Sequence, residues 1–194
     1  QAGENAVGAM LGDGWYRGGL GFGEHRYMYG DCRAAVLELH IRYEDGTEAV
    51  VGTGEDWRAE LGPVQYSNIY HGETYDARLE QEGWSEYGFD DASWSGVRLV
   101  DPPCERLVAQ ENWPTRVTEI LRPAAQWETP AGDRILDMGQ NMVGRVRLTV
   151  QAPAGTRIVL SHAEVLDRDG NIYFGNLRSA RQTVEYIAKG DGVE

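Results

Sequence analysis

Positive charge is scarce in this sequence, and Lys189 is its only lysine. The sequence has 18 lysine and arginine residues in total, and all except Lys189 are arginine. Its 31 acidic residues bring the net charge to −13. Because an acidic surface repels phosphate, this balance argues against nucleic acids and anionic membranes as partners. We interpret the acidity as a feature that keeps the protein in solution.

Cysteine is nearly as rare, with Cys32 and Cys104 as the two examples. They lack the close spacing of a metal site. A single disulfide and two free thiols both fit the sequence, so the cysteines do not indicate a cellular compartment.

Long apolar runs are missing too. No stretch approaches the roughly 18 apolar residues of a membrane-spanning helix, and no basic segment followed by an apolar one opens the chain. The sequence begins at Gln1 rather than Met, and residues 4–11 already have a strand-like pattern. We therefore expect a piece of a longer protein, and the localisation stays open.

Sustained helical periodicity is also absent, whereas alternation with a period of two recurs. Residues 143–150 alternate between two faces, which is typical of a half-buried strand. The Asp45-Gly46 pair predicts a tight turn between two strands. The pattern predicts an all-β fold, with further strands over residues 32–43, 48–54, 97–100, 117–123, 134–138, 156–165 and 183–188.

Proline clusters at one place, since residues 101–115 contain three of the seven prolines. Proline ends strands and marks boundaries between them. We predict a linker over residues 101–115, a first module over residues 1–105 and a second module over residues 116–194.

Motifs for catalysis and for phosphate or metal binding fail on inspection. The glycine-rich residues 18–23 lack the spacing and the following helix of a phosphate cradle, so we interpret them as a loop. Asp167 to Asn171 begins like a calcium-binding EF-hand loop. However, Ile172 and Arg178 stand where that loop needs glycine and glutamate. We predict a hairpin turn there, and we assign no catalytic residue.

Several long segments resemble the bacterial α-L-rhamnosidase family of glycoside hydrolases. They are LGDGWYRGGLGFGEHRYMYGD (residues 11–31), NIYHGETYDARLE (68–80), GFDDASWSGV (88–97), DMGQNMVG (137–144) and HAEVLDRDGNIYFGNLRSA (162–180). The resemblance covers nearly the whole chain in the order in which the family shows these segments.

The resemblance implies two consecutive antiparallel β-sandwich modules, the first jelly-roll-like and the second concanavalin-like, each shortened at its outer end. It further implies that they precede a helical catalytic domain outside these 194 residues. By this resemblance the parent protein hydrolyses terminal α-L-rhamnose with inversion, and its catalytic acids lie in that downstream domain.

The strongest candidates for binding are aromatic side chains beside polar ones. Sugar recognition needs aromatic faces for stacking and carboxylate, amide or guanidinium groups for the hydroxyls. The candidate carbohydrate-binding residues are Trp15, Tyr16, Asn68, Tyr70, Glu73, Tyr75, Asp76 and Arg78. In an alternative interpretation, Glu73, Asp76 and Arg78 form an ion network between strands and the aromatic side chains pack against their neighbours.

Calcium is the one cofactor that the resemblance raises, since some relatives bind L-rhamnose through a calcium ion at an acidic or amide loop. Here His71 occupies the corresponding position, and calcium prefers oxygen ligands. We therefore predict no metal or other cofactor.

Three functions remain open. The chain is a non-catalytic accessory region that packs on the catalytic domain of the same protein, a carbohydrate-binding module for rhamnose-containing glycans, or a hydrolase in its own right. We favour the first, with the second as the alternative.

Overall fold

We analysed a computed structural model, which describes residues 3–20, 25–101, 106–108 and 111–194. A four-residue α-helix, α1, and two 3-10 turns are the helical elements of the described residues, and none could cross a membrane. The elements in chain order are α1 (Gly14–Arg17), β1 (Glu38–Arg42), β2 (Glu48–Gly52), β3 (Arg58–Ala59), β4 (Val64–Asn68), β5 (Gly72–Asp76), a 3-10 turn (Ala77–Leu79), β6 (Ser95–Gly96), β7 (Ala125–Glu128), β8 (Arg134–Asp137), β9 (Arg157–Ser161), a second 3-10 turn (Gly175–Leu177) and β10 (Thr183–Ile187). The all-β prediction is confirmed.

A four-stranded sheet in the order β4-β5-β10-β9 is the largest in the described residues. The β4–β5 and β9–β10 pairs are antiparallel, but β10 lies parallel to β5, with Thr183 opposite Gly72. The other strand pairs of the described residues are antiparallel, as the predicted antiparallel fold requires, and β5–β10 is the parallel exception among them. Two strands that are joined by a long chain segment can pair in parallel or antiparallel, because no tight turn between them determines their relative direction.

Gly72 makes this parallel pair possible. Its φ is +96°, and an added Cβ would collide with the backbone carbonyl group of Thr183. Glycine tolerates both the left-handed conformation and the close approach of a second backbone.

The described residues also form three two-stranded sheets, which are β1–β2, β3–β6 and β7–β8. In the β1–β2 hairpin, Gly46 has a φ of +86°, and the Asp45 carboxylate accepts a hydrogen bond of 2.9 Å from the Thr47 backbone N–H. The predicted Asp-Gly turn is thus confirmed. The predicted turn after residue 166 is confirmed as well, since the Asp167 carboxylate accepts hydrogen bonds from the backbone N–H groups of Asp169 and Asn171.

Several predicted strands do not form ladders. Residues 4–11, 97–100, 117–123 and 141–150 have no regular secondary structure, although their sequences alternate like strands. A strand needs a neighbour for its backbone groups as well as the right side-chain pattern. Nearly every residue of these segments is exposed, so their alternation indicates neither a covered face nor a pairing partner within the described chain.

The central sheet takes two strands from each side of the predicted linker. β4 and β5 precede residues 101–115, and β9 and β10 follow them. Part of that linker, residues 102–105 and 109–110, falls outside the described residues, as does Cys104. Cys32 is exposed and free. The division into modules over residues 1–105 and 116–194 stays a prediction.

Candidate functional site

A cleft of about 300 Å³ opens on one face of the central sheet. Tyr66 and Asn68 of β4 are paired with Thr74 and Gly72 of β5, so these four residues share that face. The described lining consists of Gly19, Arg26, Tyr66, Asn68, His71, Thr74 and Arg181. The floor is therefore sheet, and loops from distant parts of the chain form the walls.

Asn68 shapes the β4–β5 turn at the edge of the cleft. Its side-chain Oδ1 accepts hydrogen bonds from the backbone N–H groups of Tyr70 at 2.8 Å and His71 at 3.0 Å. This local arrangement is typical of asparagine in turns. It places the His71 side chain in the lining, where it is buried with 8% of its surface exposed.

Arginine supplies the charge of the lining. Arg26 lies over the Tyr66 ring, with its guanidinium carbon 5.8 Å from the ring centroid. Arg181 reaches the same cleft from the segment that precedes β10. No Asp or Glu belongs to the lining among the residues that the structure describes, so the cleft is cationic in an otherwise acidic chain.

An exposed aromatic pair stands beside the turn. Trp15 of α1 meets Tyr70 edge to face, with ring centroids 6.4 Å apart, and both side chains are exposed. Tyr16 instead stacks on Tyr29 at 6.5 Å. An exposed tryptophan near an amide and a tyrosine is the kind of surface on which a sugar ring can stack.

Asp13 holds the short helix α1 in place. Its Oδ1 accepts hydrogen bonds from Arg17 at 2.7 Å and Arg33 at 2.8 Å. Partial burial works to raise the pKa of Asp13, but the hydrogen bonds from the two guanidinium groups outweigh it and lower the pKa below 3.8. The ionised carboxylate therefore anchors the segment that carries Trp15 and Tyr16.

Asp76 and Arg78 form an ion pair away from the cleft. Asp76 is buried and accepts hydrogen bonds from Arg78 at Nε (2.8 Å) and Nη2 (2.7 Å), as well as from its backbone N–H. The side-chain hydrogen bonds lower the pKa of Asp76 and raise that of Arg78. These two predicted site residues thus cap the 3-10 turn after β5.

Tyr75 lies on the opposite face of β5 from Thr74, because successive strand residues alternate. It stacks on Tyr186 of β10 at 5.7 Å and donates a hydrogen bond of 2.9 Å to Glu80. Burial, followed by this bond, raises the pKa of Tyr75 to about 12. Glu73 shares that face by alternation and is paired with Ser67.

The structure therefore separates the eight candidates. Asn68 lines the cleft, Trp15 and Tyr70 flank its turn, and Tyr75, Asp76 and Arg78 serve packing and capping. The sequence motifs do not indicate Arg26, Thr74 or Arg181. Tyr66 is recognisable as an aromatic residue close in the chain to Asn68 and Tyr70, whereas the convergence of Arg26 and Arg181 has no signal in the sequence.

Metal ligands do not gather in the described residues, where no group of three or more His, Cys, Asp or Glu side chains could hold an ion.

Two family models account for most of the chain. Residues 1–119 match the alpha-L-rhamnosidase N-terminal domain, and residues 127–194 match the bacterial alpha-L-rhamnosidase concanavalin-like domain. The chain belongs to the bacterial α-L-rhamnosidase family. The prediction from the sequence motifs is thus confirmed.

Individual relatives agree with this assignment. An alpha-L-rhamnosidase from Streptomyces avermitilis is 46% identical over 194 residues, which cover 99% of this chain and 19% of the relative. One from Formosa agariphila is 33% identical over 203 residues, covering all of this chain and 21% of the relative. The chain therefore spans about a fifth of the length of these relatives and corresponds to an N-terminal region of rhamnosidases.

Solved structures resemble the fold closely. The native α-L-rhamnosidase of Aspergillus terreus superposes with a TM-score of 0.89 at 36% identity, over 95% of this chain and 21% of that chain. The Streptomyces avermitilis α-L-rhamnosidase complexed with L-rhamnose gives a TM-score of 0.86 at 46% identity, over 93% of this chain and 18% of that one.

Proposed function

We propose that this chain is a non-catalytic accessory region of an α-L-rhamnosidase, which packs on the catalytic part of the same protein and helps to shape it. Membership of the family and the share of the relatives that the chain covers support this role. The sequence indicates no particular carboxylate pair for glycoside hydrolysis, and the cleft lining contains no carboxylate in the described residues.

Exposed apolar side chains carry the proposal. Three segments without ladder partners, residues 97–100, 117–123 and 141–150, present large apolar groups to solvent. They include Val97, Leu99, Val100, Val117, Ile120, Met142, Val143, Val146 and Leu148. Apolar surface on this scale marks an interaction site, and strand-like segments without neighbours are open to pairing.

The occupant that fits best is the remainder of the same protein. About four-fifths of each relative lies outside the part that matches this chain. An intramolecular partner is always present at high effective concentration, so it can cover a surface that would otherwise favour aggregation.

A charge placed on this surface tests the proposal in the full-length protein that carries the chain. Val143 is fully exposed here, so we expect Val143→Asp to bury a charge under the catalytic part and to lower stability by at least about 2 kcal/mol. Hydrolysis of an aryl α-L-rhamnoside should fall as well. Thermal unfolding and the hydrolysis rate are the two measurements.

Val50 provides the matched control. It is also exposed, and it shares its hairpin face with Glu38, His40 and Arg42, a polar surface that needs no cover. We expect Val50→Asp to change stability by less than about 0.5 kcal/mol. If Val143→Asp were equally neutral, this surface would be open to water and the packing role would be refuted.

The second candidate is a carbohydrate-binding module for L-rhamnose, which the exposed Trp15–Tyr70 pair beside Asn68 favours. The Streptomyces avermitilis relative was solved with L-rhamnose. Calorimetric titration with L-rhamnose, with calcium and then with chelator, tests it against L-fucose and glucose. We expect Trp15→Ala to abolish the heat and Trp113→Ala, at an exposed tryptophan outside the cleft, to preserve it. Equal heats with all three sugars would refute it.

A further inference from the structure

We propose that the cleft on the central sheet binds the carboxylate of an acidic sugar, a hexuronate residue, with Arg26 and Arg181 as its charged partners. This goes beyond the accessory role, because a region that only packs on its neighbour needs no ligand.

The distribution of charge is the first argument. Some arginines of this acidic chain are paired with carboxylates, as Arg17 and Arg33 are with Asp13 and Arg78 is with Asp76. Within the described ranges no carboxylate pairs with Arg26 or Arg181. Two cations brought together from remote positions, beside a buried histidine, create a local positive field in a chain of net charge −13.

The geometry of the guanidinium group selects a carboxylate. Arginine presents a planar fork of donors that matches the two oxygens of a carboxylate. The guanidinium carbon of Arg26 lies 5.8 Å from the centroid of the Tyr66 ring, and this contact favours a position of the guanidinium beside the floor of the cleft. A compact anion in the cleft would then be within reach of two arginine side chains that line it.

The remaining lining fits the rest of a sugar. Tyr66, Asn68 and Thr74 supply hydroxyl and amide groups that can bond sugar hydroxyls, and the cleft volume of about 300 Å³ lies at the small end of ligand sites. The strongly negative chain disfavours multivalent anions such as polyphosphates, since they meet repulsion outside the cleft. A single carboxylate on a sugar ring satisfies both the charge and the polar groups.

The test is calorimetric titration of the full-length protein that carries this chain. The probes are the methyl glycosides of glucuronate and galacturonate, the matching neutral methyl glycosides, acetate and inorganic phosphate. We expect one uronide to bind at least about tenfold more tightly than its neutral counterpart, because it alone satisfies the arginines. Acetate and phosphate should each bind at least about tenfold more weakly than that uronide, since neither uses the neutral lining.

Three variants assign the signal to the cleft. Arg26→Gln and Arg181→Gln should each weaken uronide binding by about tenfold or more, because each removes a charge-assisted pair. Arg42→Gln is the control, since Arg42 lies exposed on the β1–β2 hairpin outside the cleft, and it should leave the affinity unchanged. Circular dichroism verifies that all three variants keep the fold.

Each contrary result overturns the proposal. Equal binding of the neutral glycoside would make this a neutral-sugar cleft, and equal binding of phosphate or acetate would make it a general anion site. Uronide binding that survives Arg181→Gln would lie elsewhere in the protein. The packing role is judged separately by Val143→Asp, so either idea can fail while the other stands.

Discussion

Asp76 shows at the level of one residue how a carboxylate stabilises this fold. It is buried, caps the 3-10 turn after β5 and holds Arg78 with two side-chain hydrogen bonds. Those bonds keep its pKa below 3.8 in the folded state. A lowered pKa stabilises the fold above the unfolded-state pKa, and this contribution is lost as the pH falls through the folded-state value.

We therefore predict that Asp76→Asn lowers the melting temperature at neutral pH by about 2–4 °C, the shift expected for loss of one side-chain cap in a domain of this size. The variant should also lose less stability than the wild type between about pH 5 and pH 3, because its amide does not titrate. Asp101→Asn, at an exposed position, is the control. A parallel acid dependence in wild type and variant would contradict the prediction.

Single residues also show the limits of prediction from the sequence. The alternative interpretation of the sequence groups Glu73, Asp76 and Arg78 in an ion network between strands, and the structure shows the local pair of Asp76 with Arg78. Arg26 and Arg181 have no signal in the sequence, since only the folded sheet brings their segments together. The sequence therefore predicts a site well where its members are neighbours in the chain.

At the level of elements, Gly72 determines whether β5 and β10 can pair. We predict that Gly72→Ala disrupts this pair, because the new Cβ would collide with the backbone of Thr183. Gly46→Ala is the matched control, since its φ is similarly positive but nothing lies within 4 Å of the added carbon.

Backbone strain alone should cost Gly46→Ala about 1–2 kcal/mol. Gly72→Ala should cost a further 1–3 kcal/mol, roughly the effect of overpacking. Urea unfolding of both variants measures the difference. Equal losses would mean that the strands do not approach as closely as described.

The tyrosines of the same two strands predict a response to alkaline pH. Burial and hydrogen bonds to Glu80 and Glu194 raise the pKa of Tyr75, to about 12, and that of Tyr186. A raised pKa stabilises the fold below the unfolded-state pKa, so stability should decline above about pH 10. Tyr186→Phe should weaken this decline and cost about 1 kcal/mol at neutral pH, whereas Tyr87→Phe, at an exposed site, should do neither. If the stability of Tyr186→Phe declined above about pH 10 as steeply as that of the wild type, this prediction would be contradicted.

Elements differ in how much of them the sequence reveals. The β1–β2 hairpin is predictable because the Asp45-Gly46 turn specifies both the reversal and its position. β9 and β10 are recognisable as strands from alternation, but β5, the parallel neighbour of β10, has no local signature. Residues 143–150 show the converse, since an alternating pattern predicts a strand that finds no ladder partner in the described chain.

For the whole molecule, the central sheet joins the two halves of the chain. We predict that a protease site introduced at residues 106–108 can be cut without separating the two pieces, because β5 and β10 remain hydrogen-bonded across the cut. Size-exclusion chromatography under native conditions measures this, and Gly72→Ala, which removes the pairing, is the control. If the two pieces of the cleaved protein with Gly72 unchanged separated, the result would support two independent modules instead.

The parallel pair also determines when folding can finish during synthesis. β4 and β5 have left the ribosome long before β10, since Thr183 follows Asp76 by 107 positions in the chain. At the usual rate of translation, roughly 5–20 s pass between the synthesis of β5 and that of β10, and the edge of β5 stays unpaired during this time. During that interval the nascent chain exposes an unpaired strand, which chaperones would have to shield from neighbouring chains on the same messenger RNA.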